Sequence, residues 1–133
     1  MGLVYQHIRL SNPAKPELEE IDANALVDSG AADLCIPRHV ALQLKLVPVE
    51  QRVVTYADGR TEAVDYVGPI MVEAFGRHAF TGGMVMGNQV LLGAIPMESM
   101  DVLVGPRRNQ LIPNPAHPNI PGALAMGARK VER

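Results

Sequence analysis

The sequence predicts a small, mostly β domain with one or two short helices. Three observations carry this. β-Branched residues and short alternating apolar runs recur from Leu3 to Pro115. An Asp58-Gly59 pair divides the run from Gln51 to Phe75 into two strands, because glycine readily takes the positive φ of a tight hairpin. Helical periodicity is confined to two short stretches, each with a proline at its start.

The elements follow in order. Leu3–Leu10 reads as a strand, and Ser11–Glu20 as a polar, proline-bearing connection. Asp22–Asp28 is a second strand, apolar toward its end, and Asp33–Pro37 a short third. Pro37–Leu46 suits a short helix with Val40, Ala41 and Leu44 on one face. The hairpin around Asp58-Gly59 comes next, then a turn and strand over Gly76–Gly87. Gln89–Pro96 reads as a buried strand ending at a glycine. Pro96–Val104 reads as a second helix with Glu98 near its positive end. Arg107–Pro115 turns back into a last strand. Residues 116–133, rich in Pro, Gly and Ala, read as a loosely held tail or an arm that packs on something else, outside a single domain over 1–115.

Bulk properties narrow the partners. The 133 residues suit one domain with a modest core. A net charge of −2 without a basic cluster argues against nucleic acid, whose phosphates need a cationic footprint. No apolar run is long enough for a transmembrane helix, so no membrane partner is expected. The start, Met-Gly-Leu-Val-Tyr-Gln, lacks the pattern of a signal peptide and has Gln6 where a myristoylation signal wants Ser or Thr. A cytoplasmic location is the expectation. A single cysteine, Cys35, forbids an internal disulfide. His7, His39, His78 and His117 show no ligand spacing, so no metal or cofactor is expected. Cys35 with His39 four residues on could suggest a nucleophile, but a lone Cys in an apolar strand is more often a small buried hydrophobe. The methionines, including Met84, Met86, Met97 and Met100, read as core filler, and Glu98 and Asp101 as solvated charges.

The stretch Ala25-Leu-Val-Asp-Ser-Gly30 invites a chemical reading. Three apolar residues deliver Asp28 to the end of a strand, with a hydroxyl and a glycine directly behind it. One carboxylate is a weak catalyst of amide hydrolysis, but two held together share a proton, because both cannot cheaply ionise. The ionised member can then take a proton from water while the protonated member polarises a carbonyl. Gly30, lacking a side chain, lets its N–H approach the carboxylate. The sequence holds one Asp-Ser/Thr-Gly, so a second carboxylate would come from another copy across a two-fold axis. In isolation, Asp-Ser-Gly is more often a plain turn.

"ALVDSGAADLCIP" resembles the active-site strand of retropepsin-like aspartic proteases, the family of the single-domain retroviral enzymes. "QVLLGAIPMESMDVLV" resembles that family's second signature, and the intervening hairpin sits where the family has its flap. The likeness runs in order over roughly Leu3–Pro115 and is close to small bacterial members. It implies a closed or partly open small β-barrel with a flap hairpin, working as a homodimer on peptide or protein substrates without a cofactor. Asp28 would be the catalytic carboxylate, Ser29 an inter-subunit hydrogen-bond grip, and Gly30 a channel residue offering its backbone. Ala31, Ala32 and Asp33 would contact substrate. Tyr56, Ala57, Asp58 and Gly59 would form the flap tip, closing over substrate and excluding water. Leu91, Leu92 and Gly93 would brace the active-site loop from behind. The chain departs from the retroviral pattern at Ala32 and Ala94, where Asp and Arg are frequent; both partners of that ion pair are missing together. The alternative is an inactive relative that serves as a dimerisation or peptide-binding module.

Overall fold

A computed structural model of the chain describes residues 2–107, 109–125 and 127. It is mostly β, with nine strands and two short helices among those residues. Seven strands form one sheet in the order β1-β2-β7-β3-β6-β5-β4, with β1 also pairing to β5. They are β1 (Tyr5–Ser11), β2 (Ile21–Val27), β3 (Leu34–Ile36), β4 (Val47–Thr55), β5 (Thr61–Ala74), β6 (Arg77–Val85) and β7 (Leu91–Leu92). A second sheet pairs β8 (Val102–Gly105) with β9 (Gln110–Pro113). The helices are α1 (Arg38–Gln43) and α2 (Ala94–Met100).

The large sheet is ring-like and is not a closed barrel. The ring shuts where β1 meets β5, over only Arg9↔Glu73, Leu10↔Val72 and Ser11↔Met71. On the far side, β3 and β7 meet at the single pair Cys35↔Leu91. The N-terminal half of β5 leaves the ring and pairs with β4 instead, giving a hairpin that projects from the body. Inside the ring sit Ile8, Leu10, Leu34, Ile36, Ile70, Val72 and Leu92, with Val40 and Ala41 of α1 and its C-cap Leu44 packed against them. The predicted apolar face of α1 is therefore the face it buries.

Local chemistry sets the boundaries. Period-two alternation in the second half of β5 buries Ile70, Val72 and Ala74. The β5–β6 register breaks between Val67 and Ile70, around Pro69, which has no N–H to donate to a ladder. Phe75 and Gly76 both have positive φ (56° and 72°), a primed two-residue turn between Ala74 and Arg77. Pro37 caps α1 from outside rather than opening it, and Lys45 at φ 50° lies just beyond its end.

Two elements differ from the expectation. Extended pairing over Gln89–Pro96 shrinks to Leu91–Leu92, because Gly93 is already the N-cap of α2. The helix read over Pro96–Val104 runs instead from Ala94 to Met100. Asp101, at φ 57°, ends it in the left-handed region, and Val102, Leu103 and Val104 pair with Pro113, Ile112 and Leu111. Pro96 is harmless in the first turn, where its missing N–H would have no helical partner.

The segment after β9 is tied down rather than loose as far as Gly122. The Asn114 N–H donates to the Asp101 carbonyl (3.0 Å), and the Gly122 N–H donates to Asp101 Oδ2 (2.7 Å). Arg77, buried, donates to the carbonyls of Asp101 (2.8 Å) and His117. Most of the tail beyond Ala125 lies outside the described residues.

Candidate active site

Asp28 follows the last residue of β2. Its N–H donates to the Leu92 carbonyl (3.0 Å), and the Leu26 N–H donates to the Val90 carbonyl (2.9 Å), so β2 and β7 together fix where the carboxylate stands. The Gly30 N–H donates to Asp28 Oδ1 (3.0 Å), the close backbone approach expected of that glycine. The Ala31 N–H donates to the Asp28 carbonyl (3.1 Å), closing a turn. From behind, the first turn of α2 holds this loop: the Ala94 N–H donates to the Ala31 carbonyl and the Ile95 N–H to that of Ala32, each at 2.8 Å. Gly93 lets the helix come this close, since a Cβ there would lie 2.1 Å from the Asp33 carbonyl oxygen.

The carboxylate faces an open groove of about 640 Å³ between this loop and the β4–β5 hairpin. Asp28, Gly30, Ala31, Ala32 and Asp33 line one side, and Arg52 to Ala57 the other. Cys35, Met84, Met86 and Leu91 complete the lining. The hairpin tip is stiffened by its own side chains. Tyr56 and Arg60 pair by backbone (2.8 Å), and Gly59 turns at φ 88°. The Tyr56 hydroxyl donates to Glu62 Oε2 (2.6 Å), and Arg60 Nε donates to Asp58 Oδ2 (2.7 Å). Arg60 and its own backbone N–H hold the Asp58 carboxyl below its usual range, the backbone bond contributing most.

Most of the expected site residues thus meet around one groove. Five do not line it. Ser29 is exposed and borders a separate depression with Ala94, Met97 and Glu98. Asp58 and Gly59 are exposed at the tip, with Asp58 folded back on Arg60. Of the bracing trio, Leu92 and Gly93 are buried, whereas Leu91 is half-buried and reaches the groove.

Several contributors went unread in the sequence. Arg52 and Val54 of β4 line the groove with Tyr56 just beyond the strand, and the alternation Arg52, Val54, Tyr56 was the available signal. Met84 and Met86 are half-buried groove residues rather than core, unlike Met97 and Met100, which are buried. Asp101 is not a solvated charge. It accepts from Gly122, Asn114 and His117, and these hydrogen bonds, the Gly122 N–H foremost, pull its pKa down to about 2. Cys35 is 2% exposed, and burial first, then Asp33 and Asp28, push its thiol up to about 11. That disfavours the thiolate a nucleophile needs, and His39 lies exposed on α1.

Among the described residues no group of three or more His, Cys, Asp or Glu is placed to hold a metal ion, and no helix is long and apolar enough to cross a membrane. No protein-family model matches the chain, and no curated protein matches it.

Proposed function

We propose that the protein is a retropepsin-like aspartic endopeptidase, active as a homodimer in which Asp28 of each subunit contributes to one dyad. The observation that supports this best is the placement of Asp28: at a strand end, backbone-fixed by Leu92, facing a groove overhung by a hairpin. Neither a plain turn nor a surface Asp needs that bracing.

The chemistry then follows from two facing carboxylates. Mutual repulsion keeps one proton on the pair. The ionised Asp28 takes a proton from a water, which adds to the scissile carbonyl carbon, while the protonated partner donates to the carbonyl oxygen. Collapse of the tetrahedral adduct breaks the C–N bond as a carboxyl proton passes to the departing amine. The hairpin supplies an extended strand beside which a peptide can lie, and its tip excludes water. Ser29, exposed beside α2, is available to a partner subunit.

The test is a diverse peptide mixture incubated with wild type and Asp28→Asn from acidic to neutral pH and read by mass spectrometry. Cuts made by wild type and absent from the variant are expected. Sedimentation of the same preparation reports the dimer. A protein that is monomeric at every concentration, or cuts that persist in Asp28→Asn, would sink the reading.

One observation favours a non-cleaving peptide-binding module as the second reading: among the described residues β4 has a partner on one side only, so its outer edge can accept an added strand. Peptide binding retained by both proteins, with cutting by neither, would establish it.

A further inference from the structure

The groove carries one cation among its described lining residues, Arg52, and it is built in. Its Nε donates to Glu50 Oε2 at 3.0 Å, and its guanidinium carbon stacks 3.6 Å from the centroid of the Tyr66 ring. Tyr66 lies diagonal to Arg52 across the β4–β5 ladder, where Glu50 pairs with Tyr66 and Arg52 with Val64. The ring in turn occupies space that a glycine leaves open: a Cβ on Gly82 would sit 2.2 Å from Tyr66 Cζ. Thus Gly82 makes room for Tyr66, Tyr66 supports the guanidinium plane, and Glu50 fixes its rotation. The side chain stays 40% exposed; its ion pair is with Glu50, through Nε, and none among the described residues joins it to Asp28 or Asp33. Its terminal nitrogens, a planar fork suited to a carboxylate, are left for something entering the groove.

We propose that Arg52 is a specificity-determining residue: the groove takes largely apolar peptide segments that carry an Asp or Glu side chain, which the Arg52 fork receives. The apolar part fits Val54, Met84, Met86 and Leu91. Asp28 and Asp33 on the opposite side disfavour acid there, so the acidic side chain is read on the hairpin side. As a statement about cleavage preference this rests on the endopeptidase reading; as a statement about binding it does not.

The experiment separates the two. Asp28→Asn protein, and the same protein with Arg52→Gln or Arg52→Glu, is titrated by fluorescence anisotropy with labelled octapeptide pools. Each pool has a mixed Ala/Val/Leu/Phe background with Glu, Gln or Lys fixed at one position. At one position the Glu pool is expected to bind about tenfold more tightly than the Gln pool, as a charge-assisted, bidentate contact allows. Arg52→Gln removes that preference, and Arg52→Glu transfers it to the Lys pool. Equal Glu-to-Gln ratios in all three proteins, or no binding by any pool, overturn the inference. If the Arg52-dependent preference is present but the wild type cuts none of the pools, the endopeptidase reading fails and the assignment of Arg52 stands.

Discussion

Replacing Gly93 by alanine would put a Cβ 2.1 Å from the Asp33 carbonyl oxygen and 2.8 Å from that of Ala31. The backbone at Gly93 is extended, at φ −88°, so no conformational strain enters; the effect is purely steric. Real Cβ atoms essentially never approach closer than 3.0 Å, so α2 and the Ala31–Asp33 loop must separate by roughly 1 Å. That separation falls on the two 2.8 Å hydrogen bonds from Ala94 and Ile95, each worth about 1 kcal/mol. Overpacking adds about 1–3 kcal/mol. Removing glycine from the unfolded chain returns only about 0.4–1 kcal/mol. The net destabilisation is about 2–4 kcal/mol, or a fall in Tm of about 7–14 °C at this chain length. Gly59→Ala is the control: nothing lies within 4 Å of its Cβ, but φ is 88°, so the cost is about 1 kcal/mol of backbone strain. Thermal melts of the two variants beside wild type check the reasoning. A Gly93→Ala protein melting within about 3 °C of wild type would refute the claim that α2 braces the Asp28 loop by direct backbone contact.

Three further outcomes are expected. Native Cys35 should resist iodoacetamide at pH 8, since a thiol pushed up to about 11 is about one part in a thousand thiolate; labelling as fast as in the denatured chain would contradict its burial. Asp101 is held at about 2 in the folded state, so its contribution to stability is present above the ordinary carboxylate range and is lost as pH falls from there toward 2. The Gly122 amide signal should titrate with a midpoint of about 2 by NMR, and a midpoint near the ordinary value of 3.8 would show that the clasp does not hold in solution. Arg77→Met strands the carbonyls of Asp101 and His117 and should cost about 2–4 kcal/mol in urea unfolding; a change under about 0.5 kcal/mol would mean that the tail is not anchored there.

What the sequence made legible, and what it did not, divides along physical lines. Periodicity and turn chemistry are local, so β1, β2, α1 and the Asp58-Gly59 hairpin could be read in place. The Asp28 loop was readable because Asp-Ser-Gly behind apolar residues is a short-range signal, and its structure gathers Asp28, Gly30, Ala31, Ala32 and Asp33 on one groove. The end of α2 was misread because Val102–Val104 satisfy a helical apolar pattern as well as a strand, and the choice falls to pairing with residues beyond a turn. Asp101 was misread for a related reason. Its partners Asn114, His117 and Gly122 are distant in sequence, and nothing near Asp101 announces them. Arg52 was missed because which face of β4 turns toward the groove depends on how the hairpin leaves the ring.

The ring topology has a consequence for where this chain is open to edge-to-edge aggregation while it folds. Within the seven-stranded sheet each strand except β4 has neighbours on both sides somewhere along its length. Among the described residues β4 is the one strand of that sheet left without a neighbour along its whole outer side, and that edge carries exposed Val47, Val49 and Val53, the last at 72%. Guarding it are Pro48, a register shift between Pro48 and Glu50, and the alternating charges of Glu50 and Arg52. These same residues interrupt what would otherwise be a valine-rich, aggregation-prone strand, so substitutions chosen to retune the groove at Arg52 also weaken a gatekeeper. Variants at this position should be judged by their yield of soluble protein as well as by what they bind.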